Sequence, residues 1–214
     1  MPENIGGCSV RLPKLIAPEE LYSILQKGSI NSLLCNEPPA RNCFVDPIVS
    51  NMLKRGKFVV YFDIDSHFTA SVLKEGTLHE NLTLIYPKSE EIDDAFVTLL
   101  SWTEPKFDIL VIDSLTTFYH VSPVTRFSPK NRKLGFYLAM LREFAKKADA
   151  PILVTSHQIF RKVNTEWTSS YSGGRVLNYH SSLMIRTSMA QATMRLEILE
   201  GGNVSSLEVP LKNY

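Results

Sequence analysis

Four places in the sequence set groups able to do chemistry directly after an apolar run: Asn36-Glu37-Pro38, Asp63-Ile64-Asp65, Asp113-Ser114 and Ser156-His157-Gln158. Two carboxylates two residues apart can divide nucleophile from general acid, and an imidazole nearby can carry a proton. Asp and Ser at strand ends also serve simply to cap the next turn, the commoner use of any one of them alone. Position raises the set above its members. The preceding runs read as strands, and in open α/β sheets ligands bind outside the carboxyl ends of the strands. The five histidines (His67, His79, His120, His157, His180) show no metal-ligand spacing, so no metal site is expected. Cys8, Cys35 and Cys43 contain no C-x-x-C pair, which argues against a disulfide framework and for a reducing compartment.

The elements that must position these groups recur at regular intervals. Short apolar runs at Ile30–Cys35, Lys57–Phe62, Leu82–Tyr86, Phe107–Ile112 and Pro151–Thr155 predict buried strands. Between them, Cys43–Leu53 has helical spacing that Pro47 restricts, and a helix is expected from Ser89 to about Trp102. Arg132–Lys147 carries Leu134, Leu138, Leu141, Phe144 and Ala145 three or four residues apart, as an amphipathic helix does. Strands alternating with helices imply right-handed βαβ units and a mainly parallel, twisted sheet. Leu183–Thr187 and Thr193–Leu199 read as an antiparallel C-terminal extension. No repeat, low-complexity tract or linker divides residues 1–214, which read as one α/β domain with a lead-in at 1–25.

Of the 214 residues, 44% are apolar and 21% charged, enough for a full core, and the net charge of +1 excludes a uniformly basic nucleic-acid coat. That balance conceals a division. Residues 63–104 hold nine acids against Lys74 and Lys88, whereas residues 123–162 hold nine bases against Glu143 and Asp149. Opposed blocks of this kind suit an anion-binding face beside a protein-docking face, or two solvated helix faces. No apolar run reaches the roughly 18 residues of a membrane helix and the N-terminal stretch has no signal-peptide core, so an intracellular protein is expected.

The order of these pieces resembles the core of the RecA/RadA recombinase superfamily, including its RadB-type and other paralogues. Val59–Phe68 (VVYFDIDSHF) is similar to the family's second core strand, with Asp65 where the family has its water-activating Glu. Phe107–Phe118 (FDILVIDSLTTF) resembles its Walker B strand, with Asp113 as the magnesium-side acid. Pro151–Ile159 (PILVTSHQI) resembles the nucleotide-sensing strand, and Ser172–Thr187 the stretch after the second DNA-binding loop. The resemblance spans roughly residues 20–200 and implies a RecA-like fold.

The family's phosphate loop is missing its parts. Where G-x-x-x-x-G-K-[ST] belongs, the chain has Asn36-Glu37-Pro38-Pro39-Ala40-Arg41-Asn42-Cys43, and no glycine occurs between Gly28 and Gly56. Pro38 and Pro39 lack the N–H groups that bind phosphate, Asn42 has no charge, and the Cys43 sulfur is too soft for magnesium. Arg41 can touch a phosphate, but one Arg is not a phosphate cradle. A pseudo-ATPase with no cofactor is therefore expected, with Asp65 and Asp113 as relict acids.

The resemblance then implies an accessory factor in homologous recombination and DNA repair, located in the nucleus of a eukaryote or the cytoplasm or nucleoid of an archaeon, and working with a recombinase or recombinase-paralogue partner. Its first DNA-binding loop corresponds to about Tyr119–Lys133, with Arg126, Lys130, Arg132 and Lys133. The second corresponds to about Phe160–Arg175, with Phe160, Arg161, Lys162, Trp167, Tyr171 and Arg175. Bases interleaved with rings suit single-stranded DNA, whose phosphates pair with cations while its bases stack. Glu90–Asp94 is a candidate docking face for protein. Two rival readings remain. RecA-like subunits of Elongator or KaiC type act as scaffolds or signalling parts without DNA. Asp63 and Asp65 also match the nucleophile and acid of haloacid-dehalogenase-type phosphatases, although His67 stands where that pattern has Thr or Val.

Overall fold

A computed structural model describes residues 14–76, 78–121, 126–163 and 165–211, so Cys8 lies outside the described residues. In chain order come β1 (Lys14–Leu15), a 3-10 helix (Pro18–Ile24), β2 (Ile30–Cys35), α1 (Pro38–Lys54), β3 (Val59–Asp63), α2 (His67–Glu75), β4 (Leu82–Ile85) and α3 (Ile92–Leu100). There follow β5 (Ile109–Asp113), α4 (Leu115–Val121), α5 (Phe127–Ala148), β6 (Ile152–Val163), β7 (Glu166–Tyr171), α6 (Gly174–His180), β8 (Leu183–Met189), β9 (Thr193–Glu200) and β10 (Asn203–Pro210). The sheet runs β1-β10-β9-β8-β2-β6-β5-β3-β4, with β7 paired to β6 off this path. β8-β2-β6-β5-β3-β4 is parallel throughout, and β8-β9-β10 is an antiparallel meander. The expected mixed α/β architecture is thus present, antiparallel extension included.

The continuous apolar runs follow from burial on both faces. Val60, Phe62, Leu110, Ile112, Ile152 and Val154 meet Phe96 of α3, Phe118 of α4 and Leu134, Leu138 and Leu141 of α5. Their neighbours Val59, Tyr61, Ile109, Val111 and Leu153 face the other way, against Phe44, Ile48, Val49 and Met52 of α1. Among the described residues, no helix is long and apolar enough to cross a membrane.

Three of the expected elements differ in extent. The helix expected over 43–53 begins at Pro38, because proline at the first helical position has no N–H to lose, and continues through Pro47 since Phe44, Val45, Ile48 and Val49 anchor it. The helix expected from Arg132 begins at Phe127, so Lys130, Arg132 and Lys133 stand on α5 rather than on a loop. The strand expected to stop at Thr155 runs on to Val163 and turns back as β7, which converts most of the expected second loop into an antiparallel ribbon. At the root of α6, Gly173 takes φ +69, and a Cβ there would stand 2.6 Å from Leu134 Cδ2. Only glycine fits that turn.

Candidate functional site

The parallel register brings the expected chemical groups to one rim. Asp63 and Asp113 are register neighbours at the ends of β3 and β5, while Cys35 at the end of β2 lies opposite His157 on β6. Two residues, Asn36 and Glu37, join β2 to α1, so the chain turns straight into a helix whose first two residues are prolines.

Asp113 is fully buried and fully engaged. Its Oδ2 takes the Arg41 guanidinium in an ion pair and accepts the Tyr61 hydroxyl at 2.7 Å, and its Oδ1 accepts Thr155 Oγ1 at 2.5 Å. Arg41 also donates to Asn42 Oδ1 at 2.5 Å. Burial, with the Asp113 charge behind it, pushes the Tyr61 hydroxyl well above its ordinary range. From the sequence, Arg41 is expected only as a phosphate contact. An Arg at the start of the helix that follows β2 can reach the acid ending β5, two strands away in the same sheet, and that is the available signal.

Asp65 sits beside this group. Its Oδ1 accepts the Ser114 backbone N–H at 3.3 Å and the Ser114 hydroxyl at 3.2 Å, and its Oδ2 lies 3.9 Å from His157 Nε2. Burial drives the His157 imidazole below its usual value, and its Nδ1 is enclosed without a hydrogen-bond partner among the described residues. Asp65, Asp113 and His157 each offer a ligand atom within 4.8 Å of the others. A cation seated there would face the Arg41 guanidinium that already neutralises Asp113, so the donor set does not suit a metal. Asp63 is also buried, accepting the Thr69 N–H at 2.7 Å, which leaves the phosphatase arrangement without an exposed nucleophile. A groove of about 740 Å³ opens from this rim between α1 and α2, with Arg41, Asp65 and His157 at one end and Val49, Phe68 and Leu78 along it. Cys43 and Asn42 lie on the first turns of α1, Asn42 on the wall of that groove.

The residues expected to meet DNA fall into two groups. On the ribbon, Phe160 pairs with Ser169, Lys162 with Trp167 and Gln158 with Tyr171. Directly paired residues share a face and so do alternate ones, so Phe160, Lys162, Trp167 and Tyr171 all lie on the same side of the ribbon. Phe160 is 64% and Trp167 70% exposed. Arg161 pairs with Thr168 and belongs to the opposite side; its side chain is outside the described set. Arg175 is exposed on α6. The second group is less available. Lys130 Nζ donates to the Tyr119 carbonyl at 2.5 Å, and Lys133 is bound by Asp93 of α3, which also accepts the Tyr137 hydroxyl at 2.9 Å. Arg126 and Arg132 are exposed. Asp93 is therefore committed inside the helix pair, while Glu90, Glu91 and Asp94 stay exposed on the candidate docking face.

No protein-family model matches the chain. It is 24% identical over 185 residues to the DNA repair and recombination protein RadB of Methanococcus maripaludis, covering 77% of this chain and 84% of that protein. The protein of the same name from Methanobrevibacter smithii is 22% identical over 174 residues, covering 76% of this chain and 74% of its own length. These relatives bear out the resemblance to recombinase paralogues of the RecA/RadA superfamily.

Proposed function

We propose that this chain is an accessory factor of DNA recombination and repair that binds single-stranded DNA along the β6–β7 ribbon, docks on a recombinase-type partner and does so without hydrolysing ATP. The observation that carries the reading is the ribbon face: two exposed rings, Phe160 and Trp167, flank Lys162 on a hairpin that leaves the sheet just beyond the strand tips. Such spacing allows successive bases to stack while the ammonium meets the intervening phosphate. The two relatives, named for DNA repair and recombination, support the same setting.

Independence from ATP is supported by the rim. A triphosphate needs consecutive free N–H groups, an ammonium and a magnesium held by a carboxylate. Here Pro38 and Pro39 offer no N–H, and the acid that would face magnesium is bound by Arg41, Tyr61 and Thr155. Glu90, just ahead of α3, and Asp94 on its first turn are the acidic groups proposed to meet a basic partner surface.

The test is fluorescence anisotropy of a labelled thymidine oligonucleotide over a salt series, with Mg-ATP titrated separately by calorimetry. Expected are binding that weakens steeply with salt, a large loss for Lys162→Ala with Trp167→Ala, and no heat from Mg-ATP at micromolar concentrations. Binding indifferent to salt and to both substitutions, or tight Mg-ATP capture, overturns the proposal.

A further inference from the structure

A second cleft, of about 430 Å³, lies at the root of the ribbon. The ribbon contributes Gln158, Ser169 and Tyr171, β8 and β9 contribute Arg186 and Glu197, and Asn36 closes the end by accepting the Tyr171 hydroxyl. Because Gln158, Ser169 and Tyr171 share the side that carries Phe160, Lys162 and Trp167, the aromatic face of the ribbon leads directly into this cleft. The chemistry changes along the way, from rings and an ammonium at the outer end to amide, hydroxyl, guanidinium and carboxylate at the inner end.

Arg186 and Glu197 are direct register partners across β8 and β9, yet neither has an ion-pair or hydrogen-bond partner among the described residues. They stand on the sheet face opposite the buried Leu183, Ile185 and Thr187 of β8: Met184 on that face packs against the core, as Tyr171 does, and beyond it Arg186 is exposed and Glu197 half-buried. Tyr171, Arg186 and Glu197 line the same cleft, and burial raises the Tyr171 hydroxyl, with the Arg186 charge opposing and the Glu197 charge adding to that shift. A ligand that satisfies this pair must bring an anion for the guanidinium and an N–H edge for the carboxylate. A nucleotide brings both. A carboxylate accepts two parallel bonds only from a base with two adjacent donors. Guanine presents N1–H beside its 2-amino group; adenine and cytosine set one amino group beside an acceptor, and thymine sets one N–H between two carbonyls. In single strands these edges are free to be read.

We propose that this cleft holds one guanine nucleotide of the strand lying on the ribbon, with Glu197 on the N1 and 2-amino edge, Arg186 on the phosphate and Tyr171, fixed by Asn36, beside the base. The inference rests on the ribbon being a single-strand platform, and the cleft adds a base preference to it. Its volume suits a small-ligand site.

The experiment compares an all-thymidine oligonucleotide with the same strand carrying one internal dG, by anisotropy at fixed salt. The dG strand is expected to bind at least about fivefold tighter, the lower end for a bidentate base contact. Glu197→Gln is expected to bring it down to the level of the thymidine strand, and Arg186→Ala to weaken it. Thymidine binding that depends on Trp167 with no dG preference overturns the cleft and leaves the ribbon standing. If neither strand binds, the ribbon reading falls, and the cleft is judged on mononucleotides. Amide shifts around Arg186 and Glu197 with dGMP and not with dTMP support it, whereas equal shifts or none overturn it.

Discussion

The Arg41 guanidinium lies against Oδ2 of Asp113, with 6% of one side chain and none of the other open to water. A cation built into the fold thus balances the acid ending the interior strand β5, and the Tyr61 and Thr155 hydroxyls complete its shell.

Removing only one partner strands a buried charge. Arg41→Met is expected to lower the unfolding free energy by about 3–5 kcal/mol in urea, the usual cost of breaking such a pair. Arg41→Met with Asp113→Leu removes both charges together and is expected to recover most of that loss. A single substitution costing under about 1 kcal/mol would mean that the pair is solvated and contributes little.

The His157 imidazole, driven down by burial, gives a pH dependence of known sign. With the folded value below the ordinary 6.5, the unfolded chain takes up the proton first as pH falls. This residue's contribution is therefore full above pH 6.5 and declines as pH drops through and below it. In urea melts, the gap between wild type and His157→Gln is expected to narrow from pH 7.5 to about pH 5. A gap that stays constant or widens toward acid contradicts the assignment.

Much of this arrangement is legible in the sequence, and the rest is hidden for identifiable reasons. Val59–Asp63 and Ile109–Asp113 are apolar on both faces, so their runs stand out and the acids ending them are visible. The outer half of β6 is not: beyond Ser156 the apolar run breaks into a mixture of polar, aliphatic and aromatic residues, and the strand holds its form by pairing with β7, a contact that spacing within the strand does not encode. β10 carries a usable signal, since Gly201 and Gly202, both at positive φ, turn β9 into it. Arg41 is harder to foresee. Its partner lies 72 residues away, and only the packing of α1 across the strand tips brings the two together.

Gly173 carries a prediction about the fold around α6. Its positive φ and the nearness of Leu134 Cδ2 mean that Gly173→Ala meets backbone strain and a clash together. A loss of about 1–3 kcal/mol is expected in thermal melts. Leu134→Ala in the same chain relieves the clash but not the strain, so rescue should be partial. Full rescue would assign the whole cost to the side-chain contact.

The basic residues near the proposed strand path are not equivalent, and their partners rank them. Lys133 is held by Asp93 and Lys130 by the Tyr119 carbonyl, so a phosphate must compete with a bond already made. Lys162 and Arg132 are exposed, and Lys162 sits beside Trp167 on the ribbon. Each phosphate contact on a single strand contributes about 0.7 to the slope of log affinity against log salt. Lys162→Ala is accordingly expected to lower that slope by about 0.7 and Lys133→Ala by much less. Trp167→Ala should weaken binding by about 1–3 kcal/mol with the slope unchanged, because stacking releases no counterions. If Lys133→Ala lowers the slope as much as Lys162→Ala, the strand crosses α5 rather than the ribbon, and the Lys133–Asp93 pair opens to admit it.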